Sequence, residues 1–231
     1  MLFLSLKGEA VWNMTVMFLH MWAVIGRTEE KIDYEVYLPH RNHQEQFMGN
    51  GFVQPFCDTP LDEEIVGENV YLNIINKARR YVYICTPYLI IDNEMMTALC
   101  LAAKNGVDVR IMTPGTPDKK LVFLLTQSYY RQLLENGVKI YEYQPGFLHA
   151  KTFVCDDEIA VVGTINLDYR SLYLHFEDGV WIYGNDVIWS MKEDFVQTLE
   201  DCHTVPLEFC KNRKIPVRIM QNVLRAFAPM L

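Results

Sequence analysis

Short apolar runs alternate with longer segments of helical periodicity from about residue 51 to residue 201. Apolar or alternating runs of this length are typical of strands, and two of the periodic segments end at a glycine, Gly106 and Gly137, as helices often do. The predicted strands cover 51–56, 81–86, 107–112, 138–143, 149–155, 158–163 and 177–183. The predicted helices cover 64–79, 93–105, 117–136 and 186–201. This alternation predicts an α/β fold, in which a mixed β-sheet is sandwiched between helices.

The first fifty residues follow a different pattern. The apolar run from Val16 to Ile25 is shorter than the roughly 20 residues of a spanning helix, and we interpret it as a core-facing helix. Residues 6–11 resemble residues 182–187, because each segment runs from a strand end through a glycine turn into a helix. We therefore expect 1–26 to be the tail of a truncated first domain and 27–49 to be a linker. The alternative is that the two similar segments are unrelated.

Composition limits the functions that the chain can have. Its 231 residues, half of them hydrophobic, are enough for a large folded domain, here placed at 50–231. The net charge of −8 argues against a nucleic-acid partner, which normally requires a basic surface. The six cysteines have no Cys-x-x-Cys spacing, so we expect neither a metal site nor a cofactor. Buried, small apolar side chains are the simplest interpretation of three of them, Cys85, Cys100 and Cys155.

One polar cluster stands out from this apolar background. His149 and Lys151 are followed by Asp156, and then by Thr164 and Asn166 in a Gly-Thr-x-Asn sequence. Alternate residues of a strand share a face, so an imidazole and an ammonium are expected side by side, with a hydroxyl and an amide on the next strand. This set suits a phosphodiester, because it combines a nucleophile, a cation and neutral hydrogen-bonding groups. The structural alternative is a solvated lysine beside an ordinary strand-end histidine.

The spacing His-x-Lys-x₄-Asp-x₆-Gly-Thr-x-Asn resembles the catalytic motif of the phospholipase D superfamily. Further segments resemble bacterial cardiolipin synthases, and together they extend over most of residues 50 to 190. They are Thr86-Pro87-Tyr88, 106–112, 141–147, 166–172 and His175-Phe176-Glu177. The chain is similar to the C-terminal half of such an enzyme, and the resemblance implies a phospholipase D-like fold.

The resemblance also implies roles for the motif residues. His149 would be either the nucleophile or the general acid, and Lys151 would bind a phosphoryl oxygen together with Asn166 and the nearby Thr164. Asp156 belongs to the catalytic motif, but its distance from Lys151 along the strand leads us to expect a structural role. Glu177 is the candidate acceptor for the second nitrogen of the imidazole, unless it is simply a solvated strand-edge acid.

Several neighbours of the motif are candidates for supporting roles. Asp168, Arg170 and Ser171 also match the resemblance, and we expect them to shape the loop. Tyr88, Phe147 and Leu148 could line a lipid pocket, although core packing is the more ordinary role of such residues.

Such enzymes use two motifs, and the sequence contains one. None of the other histidines has a lysine two residues later: His20, His40, His43, His175 and His203. The missing histidine would come from an upstream half, a separately encoded partner or a second copy in a homodimer. The resemblance implies transfer of a phosphatidyl group between two phosphatidylglycerols, through a phosphohistidine, by a peripheral protein on the cytoplasmic side of the cell membrane. The alternatives are an inactive truncated fragment and a single-motif dimeric phosphodiesterase or nuclease.

The last 21 residues form a basic, amphipathic segment. Its apolar positions follow a helical spacing opposite Arg218 and Arg225, and they are Ile219, Met220, Val223, Leu224 and Phe227. Such a helix could lie on anionic phospholipid at a membrane surface. We expect instead that its apolar side packs on the domain, as terminal amphipathic helices usually do.

Overall fold

The strands and helices follow the alternation predicted from the sequence, in a computed structural model that describes residues 4–26, 32–38, 47, 49–61 and 63–230. The strands are β1 (Phe52–Asp58), β2 (Tyr81–Cys85), β3 (Leu89–Ile90), β4 (Asp108–Pro114), β5 (Lys139–Tyr143), β6 (Thr152–Cys155), β7 (Ile159–Gly163), β8 (Leu167–Asp168), β9 (Glu177–Tyr183) and β10 (Cys202–Thr204). The helices are α1 (Ala10–Gly26), α2 (Val66–Lys77), α3 (Asn93–Lys104), α4 (Lys120–Glu135), α5 (Tyr169–Tyr173), α6 (Val187–Thr198), α7 (Leu207–Lys211) and α8 (Ile215–Ala226).

Eight strands form one mixed sheet in the order β1-β9-β7-β6-β2-β4-β5-β10. Strands β2, β4 and β5 are parallel neighbours, and the other pairs in this sheet are antiparallel. The short strands β3 and β8 form a separate parallel pair. The carboxyl ends of β2, β4, β5 and β7 and the beginnings of β6 and β9 consequently lie along the same end of the strands, and His149 and Lys151 come just before β6 there.

Apolar side chains cover both faces of this sheet. On one face, alternate strand residues such as Val82 and Ile84 pack with α2, α3 and α4 in the larger core. On the other face, Tyr81 and Tyr83 pack with Met191 and Phe195 of α6 in a second core. The alternation follows from strand geometry, since successive side chains point to opposite faces. The predicted sandwich of a mixed sheet between helices is confirmed.

Helix α1 lies against β1 at the edge of the sheet. Met14 contacts the second core, but none of the helix's residues is buried, and Phe18 and Trp22 are exposed. The prediction of a core-facing helix is therefore only partly correct. Gly8 before α1 and Gly184 before α6 both have positive φ, of 98° and 61°, so the two similar segments share a turn geometry that favours glycine. The domain boundary at residue 26 stays a prediction.

Most of the predicted linker, 27–49, lies outside the described residues. Within its described part, Tyr34–Tyr37 forms a single 3₁₀ turn. In the part of the chain that the structure describes, no helix combines the length and apolarity required to cross a bilayer.

The structure corrects the predicted strands around the polar cluster. Strand β6 begins at Thr152 rather than residue 149, so His149 and Lys151 lie just before the strand, outside regular secondary structure. Strand β7 ends at Gly163, so Thr164 and Asn166 lie in the following loop rather than on a strand. Glycine is required at 163 because a Cβ there would lie 2.2 Å from the backbone oxygen of Asp178. This close approach brings β9 against the loop.

The structure also corrects the orientation of the terminal helix. Of the five apolar residues predicted to pack inward, four are exposed on α8 or at its C-cap, and only Leu224 is half-buried against the larger core. The helix is instead attached through the line of Val217, Gln221, Leu224 and Ala228, with Gln221 Nε2 donating to the Leu124 carbonyl at 3.1 Å. A hydrophobic pattern could not predict this side of the helix, because the most buried residue of α8 is the polar Gln221.

Candidate active site

The polar cluster gathers at the sheet edge where β6 begins and β7 ends. The amide of Gly163 donates to the Lys151 carbonyl at 3.3 Å, and the amide of Thr164 donates to the Asp178 carbonyl at 2.8 Å. These backbone bonds hold the loop of residues 164–166 beside the segment of His149. The carboxyl ends of the parallel strands β2, β4 and β5 lie on the same side, and α/β sheets usually bind their ligands beyond such strand ends.

His149 and Lys151 are in direct contact. The Lys151 Nζ atom lies 3.1 Å from His149 Nδ1, 3.0 Å from Nε2 and 2.9 Å from the backbone oxygen of His149. The sequence therefore predicted correctly that these two side chains lie side by side, although not on a strand. Because an ammonium only donates, this contact favours an imidazole with a free lone pair, which is the neutral form.

Lys151 is a buried cation. It is 8% exposed, and none of the ion pairs among the described residues includes it. Burial lowers the pKa of Lys151, and the Glu177 and Asp168 carboxylates oppose that shift from a longer range. A buried ammonium whose hydrogen bonds go to neutral groups can bind an anion without first losing a carboxylate partner.

His149 is biased towards its neutral form. Burial lowers its pKa from the ordinary 6.5, the Lys151 charge lowers it further, and the Asp118 carboxylate opposes both effects. A pKa below 6.5 means that the imidazole is mostly unprotonated at pH 7. The ring is therefore ready to act as a nucleophile or base before a ligand binds.

A proton NMR titration of the histidine rings should show this bias directly. We expect the His149 resonance, assigned by its loss in His149→Ala, to titrate below pH 6.5. Lys151→Met should raise the midpoint, because it removes the nearby positive charge. Lys192→Met is the matched control, since Lys192 binds Asp157 at 2.6 Å and does not contact the imidazole. A His149 midpoint above 6.5, or one insensitive to Lys151, would contradict this prediction.

Thr164 and Glu177 bind each other. The Thr164 hydroxyl donates to Glu177 Oε2 and accepts from the Asp178 amide at 2.9 Å. The other carboxylate oxygen of Glu177 lies 3.8 Å from His175 Nδ1. The structure thus places Glu177 on Thr164 and near His175 rather than on His149, whose two nitrogens face Lys151. Thr164 uses its one proton on Glu177, so the free site offers no Thr164 donor to a phosphate.

Asn166 points a side-chain amide into the same region. Its Nδ2 donates to Ser171 Oγ at 2.7 Å, while its buried Oδ1 has no hydrogen-bond partner among the described residues. Ser171 is fixed in turn by its own amide, which donates to Asp168 Oδ1 at 2.8 Å and begins α5. An unsatisfied buried polar atom is costly, and such atoms often mark ligand sites.

Asp156 lies beyond the other end of β6, away from His149. Its carboxylate accepts from the backbone amides of Arg79 at 2.7 Å, Arg80 at 2.9 Å and Tyr81 at 2.8 Å. It therefore ties the end of α2 and the start of β2 to the hairpin between β6 and β7. Its φ of 56° is one that aspartate tolerates better than most residues.

Three further residues border the site. The Phe147 ring lies 5.6 Å from the His149 ring and 6.3 Å from the Tyr88 ring, and Phe147 is 37% exposed. The Tyr88 hydroxyl donates to Asp118 Oδ2 at 2.5 Å. Phe147 is therefore partly exposed beside His149 rather than buried in a core, whereas Leu148 packs with the second core. Asp118 was missed because a single acid in a Pro-rich loop gives no sequence signal.

The geometry can be set beside known proteins. The family described as "Cardiolipin synthase, PLD-like domain" matches residues 71–199. A cardiolipin synthase of Clostridium perfringens strain SM101 is 40% identical over 98% of this chain and 48% of its own length. One from Geobacillus strain WCH70 is 37% identical over 99% of this chain and 45% of its own length. The chain thus spans about half the length of these curated relatives.

Solved structures share the fold at low sequence identity. Phosphatidylserine synthase of Haemophilus influenzae superposes with a TM-score of 0.61 at 18% identity, covering 77% of this chain and 45% of that one. Nuc, a phospholipase D family member of Salmonella typhimurium, gives 0.57 at 18% identity, covering 68% of this chain and 99% of that one. These likenesses show the phospholipase D fold. The family match over more than half of the residues shows that this chain belongs to the cardiolipin synthase family of phospholipase D-like proteins.

Proposed function

We propose that the chain supplies one histidine of a two-histidine phosphatidyl-transfer site, which makes cardiolipin from two molecules of phosphatidylglycerol. The observation that carries the proposal is the buried Lys151 ammonium, which lies 3.0 Å from His149 Nε2 and has no ion pair among the described residues. A phosphodiester anion supplies the missing negative charge and brings its phosphorus next to the imidazole.

The proposed reaction proceeds through a phosphohistidine. One histidine nitrogen forms a bond to phosphorus while the bond between phosphorus and the glycerol headgroup oxygen breaks, and the second histidine protonates that departing oxygen. The headgroup hydroxyl of a second phosphatidylglycerol then attacks phosphorus, gives its proton to the second histidine and displaces the first. Glycerol and cardiolipin are the products. Splitting one displacement into two lowers the barrier to each.

The chain's other residues support the phosphate in this proposal. Lys151 neutralises a non-bridging oxygen, where charge accumulates in the transition state. We propose that Asn166 also binds the phosphate through its Nδ2 donor, which in the free site is held by Ser171 Oγ. Glu177 holds the Thr164 hydroxyl in place and supports the loop. Asp156 acts only through the fold.

The second histidine has to come from outside the motif found here. We propose that an upstream or separately encoded half with its own His-x-Lys motif provides it, rather than a second copy of this chain. The shared turn geometry of Gly8 and Gly184 supports this choice, since it makes α1 the counterpart of α6 in a preceding domain of the same kind. The substrate is an anionic lipid, so we also propose a peripheral position on the cytoplasmic side of the cell membrane, without a nucleic-acid partner.

The chain alone should form no cardiolipin from phosphatidylglycerol vesicles above a His149→Ala control, because a single imidazole cannot both attack phosphorus and protonate the leaving oxygen in one step. The measurement is separation of labelled lipids after incubation. Clear turnover that depends on His149 in the isolated chain would contradict this prediction and would indicate a site shared between two copies.

Addition of the upstream half of a cardiolipin synthase relative tests the proposal itself. We expect cardiolipin and glycerol in equal amounts, and acid-labile, alkali-stable label on the protein after quenching, as a phosphohistidine requires. If the label is lost from His149→Ala, His149 is the nucleophile, and if it persists there without turnover, His149 is the general acid. Absence of turnover from a demonstrably assembled complex would overturn the proposed function.

A further inference from the structure

The last long helix, α8, carries an apolar surface that faces away from the protein. Its inner side is attached to the domain: Gln221 and Ala228 are buried, and the Arg225 guanidinium lies 4.4 Å from the centre of the Tyr129 ring. The opposite side, here called the outer stripe, consists of Ile215, Ile219, Met220 and Val223 on α8 and of Phe227 and Met230 just after it. All six side chains are exposed.

The outer stripe follows the geometry of one helix face. Ile215, Ile219 and Val223 are spaced four residues apart and therefore line up along the helix. Their exposed fractions are 70%, 59% and 48%, which is unusual for β-branched aliphatic side chains on a helix that is already packed on its other side. A contiguous apolar surface of this kind commonly marks an interaction site.

Exposed basic residues lie near the beginning of this stripe. The exposed Lys211, Lys214 and Arg218 flank it, and none of them forms an ion pair among the described residues. Residues 211–231 contain five basic residues and no acidic one, so they contribute +5 to a chain of net charge −8, and the remaining residues contribute −13. The basic character is therefore confined to this end of an acidic protein.

We propose that α8 is a membrane-docking helix, which lies in the plane of an anionic phospholipid surface with its outer stripe among the lipid tails. Its 12 residues correspond to about 18 Å, too short to span a bilayer but suitable for an interfacial position. Lys211, Lys214 and Arg218 reach the lipid phosphates from the rim of the stripe, as long basic side chains do at membrane surfaces.

The charge around the outer stripe favours an anionic lipid surface, rather than another copy of this chain, as the partner that covers it. Pairing two outer stripes would bring together the like charges of two Lys211–Arg218 segments, whereas an anionic lipid surface complements them. Residues 211–231 also contain no acidic residue that could pair with a basic partner in a protein complex.

The position of α8 relates this docking to the candidate site. The turn Ala228–Met230, which follows α8, contacts α5. Helix α5 carries Ser171, which accepts the hydrogen bond of Asn166. The turn that follows the docking helix therefore contacts the same short helix that holds Asn166 through Ser171. The docking itself is independent of the proposed transfer reaction.

Vesicle co-sedimentation of the full chain tests the proposal. The probe is phosphatidylcholine vesicles with about 30% phosphatidylserine, which supplies anionic charge without offering the proposed substrate. We expect Ile219→Gln combined with Val223→Gln to weaken binding about tenfold or more, because two apolar anchors are lost. We expect Arg218→Gln to weaken it about fivefold, and high salt or pure phosphatidylcholine to weaken it further.

The matched control combines Leu101→Gln on α3 with Val196→Gln on α6, two similarly exposed apolar residues elsewhere on the surface. This variant should bind vesicles as the unaltered chain does, and circular dichroism should show that both double variants are folded. The His149→Ala variant should bind vesicles as the unaltered chain does. A failure of phosphatidyl transfer would therefore not contradict the docking of α8. Vesicle binding that survives the α8 changes, absence of binding by the folded chain, or loss of self-association instead of lipid binding would overturn it.

Discussion

His149→Ala should lower the rate of cardiolipin formation by about 10²- to 10⁴-fold or more, when the chain is completed by an upstream half that carries the first motif. The reason is the position of the imidazole beside the buried Lys151 ammonium, with Nε2 3.0 Å from Nζ. Alanine removes the group that either bonds to phosphorus or protonates the leaving oxygen, and the structure contains no other imidazole in contact with Lys151 among its described residues.

The matched control is His203→Ala. His203 is an exposed histidine on β10, at the far edge of the sheet from β6. Its removal should leave the rate unchanged, and both variants should unfold at the urea concentration of the unaltered chain. Retention of more than a tenth of the activity by a folded His149→Ala variant would show that the transfer does not pass through this residue.

Asp156→Ala should reduce the free energy of unfolding by about 3–5 kcal/mol, without altering any group that contacts the phosphate position. The carboxylate accepts hydrogen bonds from three successive backbone amides, at Arg79, Arg80 and Tyr81. Alanine leaves these donors without their acceptor in a partly buried position, and it must also adopt the φ of 56° that aspartate tolerates. Urea unfolding followed by tryptophan fluorescence measures the loss.

Two comparisons separate the hydrogen bonds from the backbone strain. Asp156→Asn keeps an oxygen for the Arg80 and Tyr81 amides and suits the same φ, so it should cost clearly less than alanine. Glu158→Ala changes an exposed acid two residues away and should have almost no effect. Equal stability of Asp156→Ala and Glu158→Ala would refute the assignment of Asp156 as a structural tether.

The alternation expected of a strand was sufficient to predict that the side chains of His149 and Lys151 lie next to each other, because residues two apart share one side. It was not sufficient for Thr164 and Asn166, since Gly163 ends β7 where β9 approaches its backbone at a distance that excludes a Cβ. That constraint arises between segments and leaves no mark in local hydrophobicity. The large sheet and its flanking helices were predictable for the opposite reason: each element carries its own apolar face.

The hydrogen-bond partners of the site residues were harder to predict from the sequence than the approximate positions of these residues. Glu177 was expected on His149, yet it binds Thr164, because the register of β9 against β7 brings the start of β9 to the loop. The short elements β3, β8, β10, α5 and α7 were also missed, since two to five residues cannot establish a period. On α8, the amphipathic pattern was evident, but the pattern alone does not determine which side meets the domain.

The pairing of β1 with β9 has a consequence for synthesis of the protein. Phe52 pairs with Tyr183, and Asp58 pairs with Glu177, so this edge of the sheet cannot close until about 130 further residues have been made. Until then β1 is an unpaired strand with an open hydrogen-bonding edge, which is the feature that promotes aggregation during folding. Long-range pairing of this kind slows folding. We therefore expect the sheet to close late in folding, when β9 enters between β1 and β7 and brings Glu177 to Thr164.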